Sequence, residues 1–284
     1  MVHVISAELS FRSACKKWAR RRLLFQPQKA LVSRGVLYFP IAKVANSYLS
    51  ALFLANSDAK HNFDPTQDTA LSYWAKGHND CLVKGSILPH LITNVPFAVL
   101  RDPAKRLVSG FLNKFARSNE AGARNRVALI RDLERSTNRR CGEEDISFSS
   151  FAHYICSLPD FRREHHFRSQ TSYLLSPSTR TFAIEDWEAI KIFLRGFGFR
   201  TDLPHNLNSA VVKKTEVAQA SGTDRVFDIP LSHLKQMNTF PPYESFFNPD
   251  ISTAFERAFA RDLRMYRNAC KRSASLCKSL NQNP

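Results

Sequence analysis

Short apolar runs alternate along the chain with longer segments of helical spacing. Val36-Leu37-Tyr38-Phe39 predicts a first core strand over 36–39, and the apolar positions that follow predict a helix over 46–56. Phe97-Ala98-Val99-Leu100 predicts a second buried strand that runs into Arg101-Asp102-Pro103. There an acidic N-cap is followed by proline at the first helical position, where its missing N–H costs nothing. Leu107, Phe111 and Phe115 recur every four residues and are expected to seat that helix on the sheet. Further helices are expected within the charge-rich 118–143 and over 148–157, 187–197 and about 250–270, with a strand over 181–184. A polar loop opens at Leu203-Pro204-His205-Asn206, and there is no internal repeat or low-complexity block.

Two of these strand-to-helix junctions carry chemistry. Between the first strand and its helix lie Lys43, Val44, Ala45, Asn46 and the hydroxyl of Ser47. Free N–H groups at a helix start, the helix dipole and a loop lysine together make a cradle for phosphate. The glycine-rich nucleotide loop G-x-x-x-x-G-K-[ST] is absent, and only Gly35 lies nearby, so an ordinary connection with a solvated lysine is the competing reading. At the second junction Arg101 stands at a strand's carboxyl end, where open α/β sheets bind ligands, and Ser109 follows about two turns into the helix. The pair can converge on one phosphate; a surface ion pair of Arg101 with Asp102 is the alternative.

Two such elements in this order resemble the PAPS-dependent sulfotransferases, and within them the carbohydrate branch (sulfotransferase family 2). The resemblance implies that Lys43 and Ser47, with the intervening Val44, Ala45 and Asn46, grip the 5′-phosphosulfate of PAPS (3′-phosphoadenosine-5′-phosphosulfate). It implies that Arg101 and Ser109 grip the 3′-phosphate, which the product PAP keeps. Downstream, His166-Phe167-Arg168-Ser169-Gln170 is similar to the family's His-Trp-x-x-Gln segment, and Phe182 to Trp187 to its strand followed by Glu-Asp. Arg257 to Tyr266, with Arg261-Asp262, is similar to its terminal arginine-aspartate helix. The family's loop usually has glycine after Lys-Val and threonine two residues later, where this chain has Ala45 and Ser47. The implied fold is α/β, a three-layer sandwich with a mainly parallel central sheet and a P-loop-like strand-loop-helix.

A length of 284 residues suits one large domain, taken here as 35–272 between a basic lead-in over 1–34 and a polar tail over 273–284. With 41 Lys plus Arg against 25 Asp plus Glu, the formal charge of +16 calls for polyanionic partners. Between Leu9 and Ser57 there is no acidic residue, so the lead-in is either a peripheral membrane or polyanion contact or a solvated terminal helix. Lys16 to Arg22 interrupt any signal-like run, and no apolar stretch approaches the ~20 residues of a membrane span. The Golgi enzymes that typify the carbohydrate branch this chain resembles are anchored by such a segment, so a soluble, cytoplasmic and bacterial form is expected. Six scattered cysteines without a C-x-x-C pair are read as free thiols, and no clustered metal-ligand motif points to a metal.

Transfer to a carbohydrate hydroxyl, on an acidic polysaccharide for example, needs a general base, and histidine fits best. His78 lies in the irregular 58–95 segment, a natural acceptor-binding insertion, in a position resembling that of the catalytic histidine of uronosyl 2-O-sulfotransferases. His166 is the second candidate, with Lys43 stabilising the leaving phosphate. Two other readings compete: a P-loop-like kinase, which lacks its glycine-lysine pattern here, and a polyanion-binding module without catalysis, for which no nucleic-acid signature is evident.

Overall fold

The computed structural model describes residues 30–57, 63–65, 68–78, 80–83, 86–116, 123–137, 142–203, 225–237 and 240–280. Leu31–Ser33 (β1) and Val36–Tyr38 (β2) form an antiparallel hairpin. Its two-residue turn, Arg34 (φ 48°) and Gly35 (φ 75°), has both residues left-handed, the twist that matches paired strands. After β2 come helices α1 (Asn46–Ala55), α2 (Ala70–Ala75) and α3 (Leu88–Thr93), then strand β3 (Val95–Leu100). Helix α4 (Pro103–Phe111) follows and unwinds into a π-helical turn over Leu112–Ala116. Next are α5 (Ala123–Thr137), α6 (Phe148–Ser157), β4 (Arg180–Ala183) and α7 (Trp187–Arg195). The chain closes with α8 (Leu231–Gln236), α9 (Pro249–Ala258) and α10 (Ala260–Leu280).

The sheet order is β1-β2-β3-β4, and β2, β3 and β4 run parallel, with Tyr38 opposite Phe97 and Leu100 opposite Ala183. Both faces are covered, as parallel sheets require. On one face Phe97 packs against Phe53 of α1 and Phe193 of α7, with ring centroids 6.5 and 5.3 Å away. Phe182 meets Phe97 on that face, so its neighbour Thr181 points to the other, where its hydroxyl accepts from Arg272 Nη2 of α10 at 2.9 Å. The fold is thus mixed α/β on a mostly parallel four-stranded sheet.

Three expectations need correction. The stripe of Leu107, Phe111 and Phe115 is buried, but it does not seat α4 on the sheet. It packs with Phe148 and Phe151 of α6 and with Phe167, Phe246 and Phe255 in a second, helical core. A helical period tells which face is apolar and leaves open what covers it. The lead-in drawn to residue 34 yields its end to β1, because Leu31 is fully buried; residues 1–29 lie outside the described residues. The final helix bends at Phe259, whose ring stacks on Phe255 at 4.9 Å, and α10 then runs to Leu280, into the segment assigned to the tail. Among the described residues no helix is long and apolar enough to cross a membrane.

Candidate active site

The parallel strands β2 and β3 end side by side, so the loop after β2 and Arg101 after β3 meet at one edge of the sheet. Two non-glycine residues of that loop, Lys43 (φ 67°) and Ala45 (φ 45°), are left-handed. Val44 between them is fully buried and anchors the turn. Ala45 is the N-cap of α1 and has no side-chain oxygen to offer, so the first N–H groups of α1 have no side-chain cap. By contrast, Asp102, Ser147, Asp186 and Asn248 cap α4, α6, α7 and α9 with their side chains. Ser47 is exposed in the first turn of α1, while Asn46 turns its Oδ1 to Ser50 Oγ at 3.1 Å.

Arg101 ties the two junctions together. Its Nη1 donates to the Lys43 carbonyl at 3.2 Å. The Arg101 N–H donates to Gln170 Oε1 at 3.0 Å, and Gln170 Nε2 donates back to the Arg101 carbonyl at 2.8 Å. Gln170 is held in turn by Asp262, whose buried carboxylate accepts from the N–H groups of Gln170 (2.6 Å) and Thr171 (3.0 Å). Arg106, 3% exposed, donates from Nε to the Ala42 carbonyl (2.9 Å) and from Nη1 to the Arg168 carbonyl (2.7 Å). Ser109 is half-buried on α4, and no hydrogen bond joins it to Arg101.

Cations and carboxylates meet around the Lys43 loop, with Glu164 acting on Lys43 and Glu185 and Asp102 acting on Arg101. Burial, then Lys114 and then Arg101 push the Lys43 ammonium down to about 8, with Glu164 opposing them. No carboxylate forms an ion pair with Lys43 among the described residues. Lys114, on the π-helical turn, lies 3.6 Å from Glu164 Oε1. The same oxygen lies 2.8 Å from the Nδ1 atoms of both His165 and His166. Burial raises the Glu164 carboxyl, but the hydrogen bonds from His165 and His166 outweigh it and hold the group far below the usual carboxylate range. Burial lowers the His166 imidazole, Glu164 raises it, and His165 and Lys114 lower it further.

Lys43, Arg101 and, through Lys114 and Glu164, His166 are therefore brought together. His78 sits elsewhere: its ring packs 4.6 Å from Tyr73, at the head of a segment whose Cys81 and Val83 pair with the sheet-edge residues Val32 and Ala30. Sequence reasoning missed Arg106, Lys114 and Glu164. Arg106 did leave a trace, because it lies three residues from Pro103 and four from Gly110, on the buried face of α4. An arginine on an apolar face signals a buried hydrogen-bonding role.

A model of the sulfotransferase family matches residues 32–196, a span that contains the Lys43 loop, Arg101, Ser109, His166 and Gln170. The chain belongs to the sulfotransferase family. No curated protein and no solved structure matches it. Sulfuryl transfer, rather than the kinase or the non-catalytic polyanion-binding reading, is the chemistry of this family. The match ends at Gly196, one residue past α7, so Asp262, which holds Gln170 from α10, lies outside the matched span.

Proposed function

We propose that this sulfotransferase moves a sulfuryl group from PAPS to a hydroxyl of a carbohydrate acceptor. The observation that carries the reading is the meeting of Lys43 and Arg101 where β2 and β3 end, with Arg101 Nη1 donating to the Lys43 carbonyl at 3.2 Å, inside the span that matches the sulfotransferase family. Burial, Lys114 and Arg101 push the Lys43 ammonium down to about 8. Cations held close together at a cost in desolvation are complementary to a multiply charged anion. The uncapped start of α1 supports the same ligand with backbone N–H groups. In a P-loop-like arrangement, Lys43, Ser47 and the backbone of Val44, Ala45 and Asn46 hold the 5′-phosphosulfate, while Arg101 and Ser109 hold the 3′-phosphate. The carbohydrate acceptor is supported by the resemblance of the 166–170 and 182–187 segments to the carbohydrate branch.

When bound, PAPS supplies the sulfuryl group: the acceptor oxygen bonds to sulfur as the bond from sulfur to the 5′-phosphate oxygen breaks. Lys43 offers its full charge to the oxygen on which negative charge develops, an interaction stronger in the transition state than before it. His166 takes the hydroxyl proton. Its burial favours the neutral imidazole, the form able to accept a proton. His166 is chosen over His78 because its neighbours Glu164 and Lys114 are also the electrostatic neighbours of Lys43.

Thermal unfolding with PAP and with AMP tests the donor. PAP is expected to raise the melting temperature well above the effect of AMP, because only PAP carries a 3′-phosphate for Arg101 and Ser109. Arg101→Lys should remove most of that difference, since the forked donor is lost while the charge stays. Equal stabilisation by AMP and PAP overturns the donor assignment. A mass-spectrometric screen of PAPS with oligosaccharide, peptide and lipid alcohols tests the acceptor, and sulfation confined to peptides or lipids overturns that part.

A further inference from the structure

We infer that Glu164 is a positioning residue of the transfer site, holding His166 as the tautomer protonated at Nδ1, so that Nε2 is its basic atom. The inference deepens the reading of His166 as general base and rests on it for its catalytic meaning. The observation itself is independent of that reading. Glu164 grips His166 twice: its Oε2 accepts from the His166 backbone N–H at 2.8 Å, and its Oε1 and Oε2 lie 2.8 and 3.0 Å from His166 Nδ1. An ionised carboxylate only accepts, so the Nδ1 that contacts it must carry the hydrogen. In the neutral ring the lone pair then belongs to Nε2. A grip on both the backbone and the ring of one residue fixes the side chain's direction as well as its tautomer.

The groups around the ring explain why an anion is needed there. His166 faces Glu164 and His165 from its own segment and Lys114 from the π-helical turn. Lys43 of the β2–α1 loop and Arg106 of α4 act on the same carboxylate. Apart from Glu164, every charged group in this set is a cation. An imidazole surrounded by cations loses basicity, and the imidazolium formed when it accepts the acceptor's proton is disfavoured. Glu164 offsets that field, and through Lys114 it also joins the π-helical turn to the 164–170 segment. A carboxylate that orients an imidazole and matches the charge it acquires is a recurrent partner of histidine bases.

The rival role for Glu164 is purely structural, a tie between Lys114 and the 164–170 segment. Long-range proton–nitrogen correlation spectra of the full 15N-labelled chain, without ligand, separate the two. The wild type is expected to show His166 protonated at Nδ1, and the Nε2–H tautomer would overturn the inference with no variant involved. In Glu164→Gln, whose amide oxygen can still accept from Nδ1–H but whose charge is gone, the His166 titration midpoint should fall by about one pH unit. Lys114→Met, which removes a cation and keeps Glu164, should move the midpoint up. A Glu164→Gln chain whose midpoint matches the wild type overturns the proposal, as does an unmoved midpoint in Lys114→Met should Glu164→Gln fail to fold. Catalysis is read separately, with the acceptor found in the PAPS screen. Glu164→Gln should slow transfer by about tenfold or more, within the range that general base catalysis supplies. If His166→Asn keeps full transfer, the base reading fails while the tautomer result still stands. If His166→Asn abolishes transfer and Glu164→Gln does not slow it, the base reading stands and the positioning role falls.

Discussion

Gln170 pairs with Arg101 as one strand residue pairs with another: Arg101 N–H donates to Gln170 Oε1 at 3.0 Å, and Gln170 Nε2 donates to the Arg101 carbonyl at 2.8 Å. The side chain thus continues the hydrogen bonding of β3 one residue past its end, where no strand is available. Gln170 is fully buried and both of its bonds to the half-buried Arg101 are shielded in part from water. Gln170→Leu should leave the Arg101 N–H and carbonyl unpaired and lower stability by about 2–4 kcal/mol, read from urea unfolding. It should also weaken PAP binding, because the Arg101 guanidinium departs from a backbone no longer held. An unchanged PAP affinity in a folded Gln170→Leu chain would separate Gln170 from the site.

Lys43 sets a pH dependence whose sign follows from its depressed pKa. In the unfolded chain the ammonium titrates near 10.5, and in the folded chain near 8. The unfolded state therefore binds more protons between these values, so stability rises with pH there, and the cost of burying the charge is fully present below about 8. Lys43→Met should be more stable than the wild type at pH 7, and its advantage should shrink as the pH climbs through that window. Anion binding should restore the proton. Calorimetry of PAP binding near pH 9 in buffers of different ionisation enthalpy should report proton uptake, lost in Lys43→Met.

Ala45 occupies a left-handed conformation, φ 45° and ψ 27°, at the start of α1. For a residue with a Cβ this costs about 1–2 kcal/mol, partly offset in any glycine variant by the larger entropy of its unfolded chain. Ala45→Gly should raise stability by about 1 kcal/mol without weakening PAP binding. A loss of stability would mean that the Ala45 methyl contributes packing that outweighs the strain.

Gly110 lies on α4 beside Ser109, and a Cβ there would come within 2.6 Å of the Phe167 ring. That ring is almost fully buried and packs edge-on against Phe151 at 4.9 Å, so it has little room to retreat. Gly110→Ala should cost about 1–3 kcal/mol from overpacking and displace the segment that carries His166. Phe167→Leu in the same chain should recover part of the loss. Additive effects of the two substitutions would show that the clash is relieved elsewhere.

How much of this was legible differs residue by residue. The start of α4 was readable because Asp102 caps the N–H groups of Ala104 and Lys105, two and three residues away, and Pro103 is its neighbour. The strands expected over 36–39 and 97–100 were readable because their residues are apolar without interruption, as strands covered on both faces must be. The structure has them at Val36–Tyr38 and Val95–Leu100, the second starting two residues earlier than expected. Lys43 and Arg101 were readable as phosphate-binding types at strand ends. Their meeting was a matter of register, since only the parallel pairing of β2 with β3 puts those two ends side by side.

By itself, then, the sequence determined the segments with clear local signals, since capping and strand formation depend on residues within a turn or two of one another. It did not reveal β1 in the expected lead-in or α2 and α3 in the expected irregular 58–95 segment. The tertiary structure decided which segments share a neighbourhood. Asp262 reaches Gln170 across 92 positions, and Arg106 reaches Ala42 across 64. Lys114 meets Glu164 from a turn whose π-helical register no local spacing announces. The same long-range packing sent the Leu107, Phe111 and Phe115 stripe to the helical core and put His166, not His78, beside the neighbours of Lys43. The reason is physical: periodicity and charge describe one face of one element, whereas a buried carboxylate or a gathered set of cations exists only where several faces close around it.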